Sequence, residues 1–341
     1  MLLGYSSLYP PDASELALPD ADSARRLLTA NRPDILTRLT QVAVRIGADE
    51  RTLDAALLGT ARLGLRHGSF GDDFHAYHNE THVLELGERR LLRLLEPAAG
   101  PAPAAADMAS LMMFAACHDL RQRETIDVPG PVGGNEAASI AETFRLLEAC
   151  GFDRGADRDL FVALELMIAG STFDARPVAS ASPLTEELPD LAGGSLARGL
   201  ALWLDSACTG WREDAGARRG ERLARLAADL DTANVGEEFV QLCETALRLC
   251  REREMRAGRQ LDGAESALPC LGFLGRGQEY YFYQLHRFSS REGERVFGPR
   301  KLVNGPLVTS TTAALLARFA AEPPATGAAV LAAFSELTGA D

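Results

Sequence analysis

Residues 108–120 read MASLMMFAACHDL, and this stretch decides the fold class. Apolar side chains fill most positions up to Cys117, and then an imidazole and a carboxylate follow directly as His118 and Asp119. A helix that is apolar all round belongs inside a protein rather than on its surface. The segment therefore reads as a central helix, buried on several sides. Polar groups at the end of such a helix are costly unless they are paired, hydrogen-bonded or metal-bound.

Outward from this helix the apolar residues keep a helical spacing, and no alternating strand pattern is seen. RPDILTRLTQVAVRIG (32–47) and LDAALLGTARLGL (53–65) read as helices. A third is expected from Tyr77 to about Leu95, with Val83, Leu84, Leu91, Leu92 and Leu95 as its apolar stripe. EPAAGPAPAAAD (96–107) links it to the central helix, and RQRETIDVPGPVGG (121–134) reads as a loop. Asn135 is expected to cap the next helix, and DRDLFVALELMIAG (157–170) forms another. A polar loop follows from Ser171 to about Gly194, then helices near 196–209, 216–231 and 235–257. The stretch 259–276 is Gly-rich. QEYYFYQLHRF (278–288) begins a last unit ending in two Ala-rich helices after Thr311. The expectation is an all-α helical bundle over residues 1–260, with a mainly helical extension over 261–341 packed on it.

Composition narrows the function classes. Hydrophobic residues make up 46 % and charged residues 24 %, as in ordinary soluble domains. No apolar run approaches the roughly 20 residues that span a bilayer. The opening MLLGYSSLYPPDASE lacks a basic leader and an apolar core, so the expectation is a cytoplasmic protein without a signal peptide or membrane segment. A net charge of −13 argues against non-specific nucleic-acid binding, which needs a basic face, but leaves room for a local basic pocket. Lys301 is the only lysine. The cysteines, Cys117, Cys150, Cys208, Cys243, Cys250 and Cys270, form no CxxC pair and read as reduced, mostly buried thiols.

HAYHNETH (75–82) holds three of the six histidines. His78 and His82 are four apart and would share one face of a helix. His118 and Asp119 could bind a divalent metal or could close the helix end as a hydrogen-bonded pair, and the residues alone support both. In LARLAADLDTANVG (223–236), Asp229 lies in the apolar part of its helix and Asp231 nearer the end, so Asp229 is the better candidate for an inward carboxylate.

Taken in order, YHN-x-x-H (Tyr77 to His82), HD (His118-Asp119), NE-x-x-S (Asn135 to Ser139) and ADL (Ala228 to Leu230) resemble the HD superfamily of metal-dependent phosphohydrolases. The bacterial HD phosphohydrolase group is the nearer likeness and the cyclic-nucleotide phosphodiesterases the more distant one. The matched part covers roughly residues 75–260. The resemblance implies His82, His118, Asp119 and Asp229 as metal ligands, His78 as the histidine that protonates the leaving oxygen, and Glu136 as an acid near the site. Glu124 is its rival. This mixed N/O set suits Mn, Fe, Co, Ni or Zn; one tightly bound divalent ion is expected, and a weaker second site for Mg, held by Asp119, Glu136 and waters, stays open as an alternative. The implied partner is a small phosphorylated substrate, with nucleotides among the candidates; oligomeric state is not implied.

Beyond His118 only His286 remains, so a histidine-rich second metal site cannot be built. That shortage also counts against the alternative of an HD-type iron oxygenase. A non-catalytic nucleotide-binding HD module is the other alternative. Arg121 and Arg123 could grip phosphate or be surface arginines. FYQLHRFSSREGERVFGPRKLVNGP (282–306) carries His286 and Lys301, which could bind substrate from a lid or belong to a polar surface around aromatics. His75 reads as a helix-start residue, and His67 as structural or exposed.

Overall fold

The computed structural model describes residues 2–5, 8–126, 128–174 and 193–340. Helices account for nearly all regular structure, as the periodicity predicts. The strands among the described residues are two short ones, β1 (Phe173–Asp174) and β2 (Gly194–Ser195), paired antiparallel with Phe173 opposite Ser195. Most of the expected polar loop, residues 175–192, lies outside the described residues. Among the described residues no helix is long and apolar enough to cross a membrane.

The chain forms two compact units. The first takes the residues up to Phe74, then His78–Asp231 and Ser289–Glu292; the second takes His75–Tyr77, Thr232–Phe288 and the residues from Gly293 onward. The division at Asp231 differs from the boundary near 260 expected from sequence.

The first unit holds α1 (Ala13–Ala17), α2 (Ala21–Asn31), α3 (Pro33–Ile46), α4 (Glu50–His67), α5 (Glu80–Leu84), α6 (Ala105–Cys117), α7 (Gly134–Ala149), α8 (Arg158–Ser171), α9 (Leu200–Ala207) and α10 (Ala215–Asp231). Local chemistry sets the ends of several. Pro33 opens α3 at a position where its missing N–H costs nothing, and Gly47 closes it in the left-handed region at φ 70°. The Asp49 carboxylate accepts from Thr52 N to cap α4.

Helix α6 is the core element that the sequence predicts, with Ser110 through Cys117 all buried. It packs closely on α4 because Gly59 has no side chain: a Cβ there would lie 2.7 Å from the Ala116 carbonyl oxygen. On the other side Phe144 of α7 and Phe161 of α8 pack with ring centres 5.4 Å apart.

Two local expectations are corrected. The helix expected from Tyr77 begins at Glu80, capped by Asn79, whose Oδ1 accepts from Thr81 N. It widens into a π-helical stretch at Glu85–Arg90 and tightens to 3₁₀ at Leu91–Leu95. His78 thus precedes the helix instead of lying on its face. Asn135 does not cap α7; Gly133 takes that position, and Asn135 Oδ1 accepts from Glu124 N at 3.0 Å.

The second unit contains α11 (Phe239–Arg256), α12 (Ala267–Gly272), α13 (Gln278–Tyr280), most of α14 (Arg291–Arg318) and α15 (Gly327–Thr338). Helix α11 falls in this unit because Cys243, Ala246, Leu247 and Cys250 bury against Cys270, Leu274, Leu315, Val330 and Phe334. Helix α14 begins twenty residues before the Ala-rich stretch and runs through Pro299 and Pro306. Each proline follows a glycine, which removes the Cβ that would clash with the proline ring in helical conformation. All six cysteines are free thiols; Cys150 and Cys208 are half-buried and the others buried.

Candidate metal centre

The end of α6, the start of α5 and the end of α10 bring four donor side chains together in the first unit. His82, on α5, is fully buried. Its Nε2 lies 3.1 Å from Asp231 Oδ1 and 3.7 Å from Asp119 Oδ2. His118 Nε2 lies 2.9 Å from Asp119 Oδ2 and 3.4 Å from Asp231 Oδ1. His82, His118 and Asp119 each offer a ligand atom within 4.8 Å of the others. Donors bound at roughly 2.1 Å to one ion stand about 3.0 Å apart at neighbouring octahedral positions and about 3.4 Å apart in a tetrahedron. The observed histidine–carboxylate separations of 2.9–3.7 Å bracket those spacings.

The ring orientation agrees with that reading. His118 Nδ1 donates to the Phe114 carbonyl, one turn back along α6, at 3.2 Å. This bond turns Nε2 toward the carboxylates, the orientation that metal-bound histidines use. Glu85 Oε2 lies 3.6 Å from His82 Nδ1, on the side away from the cluster. His118 Nε2 and Asp119 Oδ2 are buried and meet no group with hydrogen-bond alignment, although they lie close to each other. Two half-buried carboxylates facing two buried imidazoles attract positive charge. Burial opposes a charged imidazole, yet Asp119 and Asp231 hold His118 well above the usual histidine value. Burial likewise opposes the ionised acids, and His118 and its neighbours hold Asp119 and Asp231 low in spite of it.

The acid of α10 that faces the histidines is Asp231, a candidate fourth donor, in place of the expected Asp229. Residues two apart on a helix point roughly 200° apart around its axis. Asp229 turns to Ser289 and Ser290, accepting from Ser289 N at 2.6 Å, Ser290 N at 2.8 Å and Ser290 Oγ at 2.6 Å. Burial raises its pKa to about 7, against the pull of those hydrogen bonds. Asp231 is the last residue of α10 and faces the histidines. Buried Arg90 donates to the carbonyls of Leu230 and Asp231, which holds this helix end in place. Gln122 Nε2 donates to Asp119 Oδ1 at 2.7 Å, so Asp119 is oriented from behind. Sequence reading missed Glu85, Arg90 and Gln122. Glu85 and Gln122 each stand three residues after a donor, a spacing that could have suggested them.

His78 lies near the cluster, with its ring centre 6.2 Å from that of His82, and its charge lowers the pKa of Asp119. Glu136, in the first turn of α7, is raised by burial and then by Asp119 and Asp231, which places it within the field of the site. Its rival Glu124 is taken by Arg121, whose Nε donates to it at 2.5 Å.

The two arginines proposed for phosphate are engaged elsewhere. Arg121 Nη1 lies 3.6–3.8 Å from Glu15, Glu142 and Asp12. Those three acids also offer ligand atoms within 4.8 Å of one another. Here, however, Arg62, Arg66, Arg121 and Arg145 supply the positive charge, so the group is a buried ion network. Arg66 also donates to the Leu120 carbonyl, just beyond Asp119. Arg123 forms an exposed pair with Asp73 at 3.0 Å. His67, expected to be structural or exposed, is buried with Nδ1 3.2 Å from Asp73. In the second unit, buried His75 has its Nδ1 3.3 Å from Glu252, and Lys301 bonds to His286.

No family model and no curated protein matches the chain.

Proposed function

We propose that the chain is an HD-type metal-dependent phosphohydrolase that cleaves a small phosphate ester or nucleotide. The observation that carries the reading is the convergence of His82, His118, Asp119 and Asp231, with the His118 ring oriented by its bond to the Phe114 carbonyl. The ordered sequence motifs add the phosphoryl chemistry to the metal site.

A divalent ion held by these four side chains would supply Lewis acidity to a phosphoryl oxygen and to an attacking water. Asp119 and Asp231 provide the negative charge that retains a dication, and Gln122 and Arg90 keep them aimed. His78 is the proton donor to the leaving oxygen, a task suited to an imidazole at neutral pH. Glu136, with its raised pKa, accepts a proton from water.

The test is elemental analysis of purified wild type and His118→Ala, with turnover measured on phosphomonoesters, cyclic nucleotides and nucleoside polyphosphates with added Mn²⁺. The expected result is bound metal and metal-dependent release of product in wild type, both lost in the variant. Unchanged metal content in His118→Ala, or metal-loaded protein inert on the whole panel, overturns the proposal.

A further inference from the structure

The second unit carries the chain's only amine-bearing side chain, in a setting unlike that of any arginine around it. Lys301, on α14, is half-buried. Its Nζ donates to two acceptors of one residue, His286 Nδ1 at 3.0 Å and the His286 carbonyl at 2.8 Å. The rings of Phe282 and Phe288 flank it, with centres 5.3 and 5.8 Å from Nζ. No carboxylate of the described residues lies within ion-pair distance of it. Glu238 is bound instead by neighbouring Arg300 at 2.6 Å.

A count of protons shows what this geometry favours. An ammonium has three N–H groups, whereas a neutral amine has two N–H groups and a lone pair. The two acceptors on His286 satisfy the neutral amine completely and leave its lone pair free. The charged form has one N–H left over and no anion to face. The aromatic faces favour the cation by only about 0.5–1 kcal/mol each at partly exposed sites, and the half-buried position, which strips part of the ammonium's hydration, acts against it. An arginine here would stay charged at every physiological pH, so the one lysine among many arginines offers a chemistry that they cannot.

We propose that Lys301 is a covalent-capture site for small carbonyl electrophiles, aldehydes in particular. The Nζ lone pair attacks the carbonyl carbon, and a C–N bond forms as the carbonyl oxygen takes a proton. The carbinolamine then loses water, with the second nitrogen proton leaving, to give an imine. No oxidant or reductant is consumed. His286 orients the amine through its neutral ring. Burial, and then the charge of Lys301, pushes the His286 pKa down to about 3, so the ring does not compete as a cation. Burial, and then the charge of exposed Arg287, pushes the Lys301 pKa down to about 8. At pH 7.5 this makes the free-base fraction roughly 200-fold larger than for an ordinary lysine near 10.4.

The full chain is treated with limiting propanal, cyanoborohydride traps the imine by hydride transfer to its carbon, and peptide mass mapping gives the rate at Lys301 from pH 6.5 to 10.5. The peptide separates this site from the terminal amine, and Lys301→Arg abolishes its signal. The expected profile has its midpoint near pH 8, against about 10.4 for the same residue in the urea-unfolded chain. Arg287→Glu, a change at an exposed position, is expected to raise the midpoint. A native midpoint near 10, or labelling in the native chain no faster at pH 7.5 than in the unfolded one, overturns the proposal. Neither result depends on the metal centre, so the two readings fail separately.

Discussion

Exchanging the acid at one of two neighbouring positions separates a metal ligand from a structural acid. Asp231→Asn removes the negative charge of the carboxylate whose Oδ1 lies 3.1 and 3.4 Å from the two imidazole nitrogens, and leaves a neutral amide oxygen, a much weaker metal donor. The proposed site thereby loses one of its two negative charges. Changes to groups that merely orient metal ligands cost about 10- to 100-fold in affinity, and neutralising a direct donor should exceed the upper figure. A loss of more than about 100-fold corresponds to about 2.7 kcal/mol or more. Asp229→Asn, in contrast, leaves all four donors in place and alters only the acceptor for Ser289 and Ser290. Its metal stoichiometry should match wild type, even where its melting temperature falls. The assay is titration of metal-stripped protein with Mn²⁺ or Zn²⁺ against a chelating dye, with circular dichroism to confirm folding. Metal loss in Asp229→Asn with retention in Asp231→Asn would refute the placement of the α10 end. Retention in both would refute the cluster as a metal site.

Glu136→Gln should lower kcat/KM by about 100-fold or more, as loss of a general base does. Because burial and the neighbouring acids raise the Glu136 pKa, the ionised base forms only above the usual carboxylate range; wild-type kcat/KM should therefore rise with pH through that raised value, and the variant should lack this acid limb. Gly59→Ala drives a methyl to 2.7 Å from the Ala116 carbonyl, so it should cost about 1–3 kcal/mol by thermal or urea unfolding. An unchanged stability there would show that α4 and α6 have room to separate.

The helical class was legible because helical periodicity is a local property. Residues 108–117 could be assigned to the interior from their own chemistry, and the structure buries nearly all of them. His118 and Asp119 could likewise be picked out, because an imidazole and a carboxylate ending an apolar helix are costly without a partner, whereas His82 is singled out by the order of the HD-like motifs. The unit boundary was less legible. Helix α11 has an apolar face that either unit could have used, and only its packing with Cys270, Leu274 and Val330 assigns it.

The sequence by itself determined which residue types could form a metal centre and on which segments they lie. It favoured Asp229, from the apolar part of the helix, whereas the folded helix turns Asp231 to the histidines and Asp229 to Ser289 and Ser290. Tertiary structure decided that choice. A helix turns its side chains by about 100° per residue, so which acid meets the histidines depends on how the whole helix is rotated and where it stops. Arg90 at the carbonyls of Leu230 and Asp231, and the Ser289–Ser290 pair on Asp229, set both. The same holds for Arg121 and Arg123, whose charge the sequence announces but whose partners, Glu142 and Asp73 among them, lie on segments that only folding brings near. Side-chain chemistry is written residue by residue, whereas a binding site is a set of directions, and directions are fixed only when the helices pack.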